Sequence, residues 1–273
     1  MIKHAMSLWG PLLALLYSSN SLADDSFLSN PVGKAVRHGD CVKAAAAVND
    51  ASPNPDSAHA FTLFVAARML DEGICTQLDP IGAAGYYQVS GLLGIPQAQF
   101  EFAAKIGMGQ GVPQNYETAG HACRSAGVDN AGVVPLYSLG YACTVGAVAA
   151  RLLRLSLPTG SFHLPTKPAI VEFDVISARI HVISTPTPQH GQTQTDSLIP
   201  PSLVEPEKAF PKAFRDALAI VPKPDVNSLR PANVSLPLDV DITIEGGTEQ
   251  VKNSPVIRIN PFDVVPGVIP LVH

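Results

Sequence analysis

Tryptophan, charge and long apolar runs are all scarce in this chain. Of its 273 residues only Trp9 is a tryptophan, and it stands inside the N-terminal leader described below. Without that leader the chain has no Trp platform on which to stack a sugar. Charged residues make up 15% of the sequence, the formal net charge is -5, and no run of like charges or basic stripe occurs. Nucleic-acid binding relies on such a stripe, so we expect no nucleic-acid partner. Beyond the leader no stretch reads as long and apolar enough to span a bilayer, so no transmembrane segment is expected after cleavage.

Signatures of chemistry are missing as well. There is no Gly-x-Ser-x-Gly elbow and no Ser with a Lys three residues on, the marks of serine hydrolases and penicillin-binding proteins. Gly107 to Gly111 lacks the Gly-Lys-Ser/Thr ending of a phosphate loop. His59, His121, His163, His181 and His190 are scattered with no ligand-like spacing, and we read them as incidental. Asp239, Asp241 and Glu245 share one strand face, but alternation alone accounts for them as its solvated side, in preference to an acid–base or calcium site. No catalytic, metal or cofactor-binding residue is assigned, and no cofactor is expected.

What is present begins with a secretory pattern. Lys3 is followed by an apolar run from Leu8 to Tyr17, broken by Gly10-Pro11, and Ser21 and Ala23 frame a cut after Ala23. Residues 1–23 are therefore expected to be a signal peptide and the mature chain periplasmic or secreted. Four cysteines, Cys41, Cys75, Cys123 and Cys143, lie in the first half. An even count in an exported chain predicts two disulfides.

Sliding the chain by 36 residues pairs Gly73 with Gly109, Asp79 with Asn115, Ala83 with Ala119 and Ser90 with Ala126. A period of that length belongs to stacked helix pairs. A helix is expected from about Ala58, capped by Ser57, to Glu72, after an Ala-rich helix from Gly33 to Asn49. Thr62, Phe64, Ala66, Ala67 and Leu70 recur as Ala98, Phe100, Phe102, Ala103 and Ile106 on an inward face. Gly73 and Gly109 should end these helices in a left-handed turn, with Asp79 and Asn115 capping the return helices.

Ala98-Gln99-Phe100-Glu101-Phe102-Ala103 followed by Gly109-Gln110-Gly111-Val112-Pro113-Gln114-Asn115-Tyr116-Glu117-Thr118-Ala119 resembles a Sel-one-like repeat, a relative of tetratricopeptide repeats. The family pattern has Leu-Gly in the first helix, Gly-x-Gly-Val in the link, an Asp cap and an aromatic pair in the second helix. Here Phe102-Ala103, Asn115 and Ala122-Cys123 depart from it, while the earlier copy keeps Asp79, Ala83 and Tyr86-Tyr87 but reads Gly73-Ile74-Cys75-Thr76 in its link. A third first helix, Pro135 to Cys143, restores Leu139-Gly140.

The resemblance covers about residues 62–155. It implies a right-handed stack with a concave face that holds other proteins, and no catalytic residue. The Ala-rich helix and Val148 to Leu155 would cap its ends. The column Phe64, Phe100 and Tyr137 reads as packing between helices. The neighbouring positions Val65, Arg68, Glu101, Lys105, Ser138 and Tyr141 are expected to face the groove and bind the partner. Cys123 on a second helix and Cys143 on the next first helix then become the favoured bridge, leaving Cys41 to Cys75.

After Leu155 the composition changes: 17 of the 25 prolines lie from Pro158 onward. We expect a linker at 156–168 and a mainly β domain at 169–273, with a mobile Pro/Thr/Gln-rich loop at 185–202 and a short helix from Lys212 to Ile220. Ile170 to Val175 and Ser177 to Ser184 read as strands with a bulge or tight bend between them. Val234 to Glu245 alternates without a miss, with Pro237 required at an edge or an irregularity, and Gly246-Gly247 turns it back.

The fold class expected is thus α+β: a helical-repeat solenoid at 24–155 that folds separately from the β part. The leading functional reading is an exported, non-enzymatic adapter binding another envelope or secreted protein. The alternatives are a cell-wall or protein-processing enzyme with its site in the β part, which converging polar groups there would favour, or an immunity or inhibitor protein.

Overall fold

The computed structural model describes residues 30–53, 55–156, 169–184 and 206–238. The expectations for the signal peptide, nearly all of the linker, the loop at 185–202, and Asp239, Asp241, Glu245 and everything after them lie outside these residues. Most of the described chain is helical, with one small antiparallel sheet.

The Ala-rich stretch forms two helices, α1 (Pro31–Arg37) and α2 (Cys41–Ala51), where one was expected. Gly39, at φ 68°, breaks it, and the Asp40 carboxylate accepts a hydrogen bond from Lys43 N (3.1 Å) to start α2. α3 (Ala60–Glu72) begins later than expected and Ser57 does not cap it. The Asp56 carboxylate instead accepts from the Ala58 and His59 amides (2.9 and 3.1 Å), holding the chain in a turn before the helix.

α4 (Pro80–Leu92), α5 (Pro96–Met108), α6 (Tyr116–Ser125) and α7 (Leu136–Ser156) follow, each packed on its predecessor from α3 onward, and α7 also meets α5. The two links agree in detail. Gly73 (φ 69°, ψ 30°) and Gly109 (φ 68°, ψ 31°) both adopt the left-handed cap. The Asp79 amide donates to Leu70 O (2.9 Å) and the Asn115 amide, 36 residues on, to Ile106 O (3.2 Å). Asp79 and Asn115 cap α4 and α6 through their side chains, as the spacing predicts.

Cys41 is joined to Cys75 and Cys123 to Cys143, with Cα separations of 4.9 and 6.4 Å, both within disulfide reach. Near the second bridge α6 and α7 touch backbone to backbone. A Cβ built on Gly140 would lie 1.9 Å from Tyr116 O and 2.6 Å from Gly120 N, so only glycine fits at that crossing.

β1 (Ala169–Asp174), β2 (Arg179–Ser184), α8 (Pro206–Ile220) and β3 (Asn233–Leu238) complete the described chain, in a sheet of order β2-β1-β3. The flip in apolar parity after Val175 is the hairpin bend, where the Asp174 carboxylate accepts from the Ile176 and Ser177 amides (3.0 and 3.3 Å). The irregularity in the ladder lies instead between Ile170 and Val171. On β3, Val234 and Leu236 are buried while Ser235 and Pro237 are exposed, and Pro237 sits on an edge strand as its missing N–H requires. α8 starts six residues before Lys212 and contains Pro211.

The described C-terminal part is therefore mixed α and β. It also shares a core with the helices: Tyr141 of α7 meets Phe173 of β1 (6.3 Å between ring centroids), and Phe173 meets Phe214 of α8 (5.7 Å). Leu236 of β3 packs over Gly146, where an added Cβ would lie 2.5 Å from its Cδ1. The composition of α7 corrects the expectation of no second stretch long and apolar enough for a span. Leu136–Leu153 is long and apolar enough to cross a membrane, but 78% of it is buried inside the fold, as suits a core helix.

Candidate functional site

All six expected groove residues are buried. Val65 faces the apolar core, and the other five divide between two polar arrangements. The reason is largely tertiary: Lys105 finds Asp71 on α3 and Ser138 finds Arg230 of the C-terminal part, partners that the local pattern does not display.

The first arrangement is a charge network across α3, α5 and α7. Asp71 of α3 is its hub: its carboxylate receives Lys105 Nζ of α5 and lies 3.4 Å from Arg151 Nη1 of α7, while Arg151 Nη2 donates to the Asp71 carbonyl (2.6 Å). Lys105 also donates to Gln110 Oε1 (3.0 Å). Arg68 Nη2 approaches Glu72 Oε1 at 3.5 Å, and its guanidinium lies over the Phe64 ring, 5.6 Å from the centroid.

Tyr87 of α4 points into this network, and its hydroxyl finds no hydrogen-bond partner among the described residues. Burial pushes the phenol well above its ordinary pKa, and the negative charges of Asp71, Glu101 and Glu72 push it further against the opposing pull of Arg68. The carboxylates of Asp71, Glu101 and Glu72 and the guanidinium of Arg68 thus act on one neutral phenol. The paired charges join α3, α5 and α7 and fix how these helices sit against one another.

The second arrangement is a tyrosine face at the last helix pair. Tyr116 of α6 meets Tyr137 and Tyr141 of α7 edge-on, at 5.4 and 5.5 Å between centroids. Across this face runs the segment Val221–Arg230, between α8 and β3. The Tyr116 hydroxyl donates to Pro222 O, and the Tyr137 hydroxyl accepts from the Asp225 amide (2.7 Å). Ser138 Oγ accepts from the Arg230 amide (2.9 Å) and donates to Arg230 O (3.2 Å). Burial raises the pKa of Tyr116 and of Tyr141, so both are neutral donors at physiological pH.

Arg68, Glu101 and Lys105 therefore gather in one place and Ser138 and Tyr141 in another. Asp71, Glu72, Tyr87 and Arg151 were not foreseen. With so few charges in the chain, a Lys or Asp on an otherwise apolar helix was the available signal. Tyr137, read as packing, uses its ring for that and its hydroxyl for recognition of backbone. No family model, curated protein or solved structure matches the chain.

Proposed function

We propose that this protein is an exported, non-enzymatic binding protein of the Sel-one-like helical-repeat kind, acting on another protein in the envelope or outside the cell. The observation that carries this reading is the recurrence, 36 residues apart, of a left-handed Gly cap, a backbone bond across the link and a side-chain cap on the return helix. Stacks built this way present extended surface for polypeptide ligands. Two cystine bridges support an oxidising compartment.

The recognition surface is placed on the tyrosine face and not on Arg68, Glu101 and Lys105, whose charges are paired or buried within the stack. The test is affinity capture from native envelope extract with the oxidised full chain and mass identification of what is held. A saturable partner, lost when the chain is reduced and unfolded, supports the reading. Absence of any held protein, together with turnover of an envelope substrate by the purified chain, overturns it.

A further inference from the structure

Residues 221–230 lie on the helices in the way a bound peptide does. Every hydrogen bond described from the tyrosine face to the segment goes to its main chain: a carbonyl at Pro222, an amide at Asp225, and both groups at Arg230. No segment side chain is used in these contacts, so the face recognises backbone geometry.

Burial along the segment follows the same logic. Pro222 and Pro224 are half-buried while Lys223 and Asp225 between and beyond them are exposed, the alternation of an extended chain laid on a surface. Both prolines fix φ and lack an N–H, so the strand arrives extended with fewer donors to satisfy. The Asp225 carboxylate then closes the following turn on itself, accepting from the Asn227 amide (3.0 Å) and bonding Ser228 Oγ (2.9 Å). An aromatic-lined face with hydroxyls aimed at the backbone of a proline-spaced strand is a known mode of peptide capture.

We propose that the face formed by Tyr116, Tyr137, Ser138 and Tyr141 is a peptide-binding site for an extended Pro-x-Pro-Asp segment of a partner protein, held in this chain by its own residues 221–230 as a resident ligand. The inference rests on the binding-protein reading and names the ligand class of that reading's surface. The resident segment supplies the chemistry on the page: a carbonyl, then an amide three residues later, on a backbone stiffened by alternate prolines. Val221 at its start is buried in the core and Leu229 packs against that core, but between these anchors the outer side is in solvent, with Val226 74% exposed, so an incoming strand competes for the stretch from Pro222 to Ser228. Tethering gives the resident segment an effective concentration in the millimolar range, so a partner must compete with it.

The probe is a labelled synthetic peptide with the sequence of residues 221–230. It is titrated into the oxidised full chain and into the full-chain variant P222G/P224G/D225A, which loosens the resident segment at half-buried and exposed positions. Binding to the variant should be at least roughly 10-fold tighter than to the wild type, as removal of a tethered competitor requires. Adding Y116F, Y137F and S138A to that variant should abolish the gain.

Should the loosened variant not fold, hydrogen exchange on the wild type decides: excess peptide should speed exchange of the Asp225 and Arg230 amides and leave α3 and α5 unchanged. Equal affinity in both chains, insensitivity to loss of the hydroxyls, or unchanged exchange overturns the proposal. So does a concentration-dependent dimer dispersed by the peptide, since the site would then serve a second copy of the chain. If the peptide fails but the extract still yields a saturable partner, this site is wrong and the binding-protein reading stands.

Discussion

Asp71 at the end of α3 holds the ammonium of Lys105 on α5, 34 residues further along, and both side chains are almost wholly withdrawn from solvent. The pair is asymmetric. Loss of Lys105 leaves Asp71 with Arg151, whereas loss of Asp71 leaves the Lys105 cation with only the neutral Gln110 as a further hydrogen-bond acceptor among the contacts described. Asp71→Asn should therefore destabilise more, by about 3–5 kcal/mol, than Lys105→Met. The double variant should recover part of the sum, because no buried ammonium is then stranded. Urea unfolding of the four oxidised proteins measures all three quantities, and additive losses would mean the pair is not coupled.

Gly140 lies where α6 and α7 touch backbone to backbone. Gly140→Ala places a methyl group against the Tyr116 carbonyl, an atom fixed in a helix that cannot step aside. The helices must separate there, at a cost of about 1–3 kcal/mol or more. Gly94→Ala makes the control, since its left-handed φ of 100° brings strain but no neighbour lies within 4 Å. Both variants should lose stability in thermal melts. Only Gly140→Ala should also slow the oxidative pairing of Cys123 with Cys143, which depends on the same crossing.

Tyr87 makes stability depend on alkaline pH. Its folded pKa lies well above the ordinary 10, so the native state holds the phenolic proton more tightly than the unfolded chain. The stability this confers is complete below pH 10 and declines as pH rises beyond it. Tyr86, pushed up to about 12 chiefly by burial, acts in the same direction. Absorbance at 295 nm should show tyrosinate appearing late and together with unfolding. Tyr87→Phe should weaken that alkaline decline. It should also stabilise the chain at neutral pH by up to about 1 kcal/mol, since it removes a buried hydroxyl lacking a partner among the described residues.

Local features of this fold were legible in the sequence. Gly73 and Gly109 end helices because a left-handed residue is needed there, and Asp79 and Asn115 cap because their side chains reach amides two or three residues on. The cystine pairs follow from which helices are neighbours. The fate of the first-helix face was not legible, because its partners lie far along the chain. Lys105 meets Asp71 across 34 residues, Ser138 meets Arg230 across 92, and Tyr116 meets Pro222 across 106. At Lys105 and Ser138 the polar side chain looked like a residue awaiting solvent or a partner. Ser57 failed for the opposite reason, since Asp56 one residue earlier takes the Ala58 and His59 amides into a turn and the helix starts only at Ala60.

The shared core predicts how the chain behaves when cut. Asp24 to Leu155 alone keeps both cystines and the charges of the network, but it strips α7 of Phe173, Phe214 and Leu236 and leaves Tyr116, Tyr137 and Ser138 without their backbone partners. The aromatic surface so exposed would otherwise contribute about 1.5–3 kcal/mol per fully buried large side chain. The fragment should therefore remain helical by circular dichroism, held by its two bridges, but melt broadly and associate at micromolar concentration. Residues 169–273 added in trans should restore a cooperative transition. A fragment that melts cooperatively at the temperature of the full chain would show that the helices are complete without the C-terminal part, and that the tyrosine face is free surface in the isolated stack.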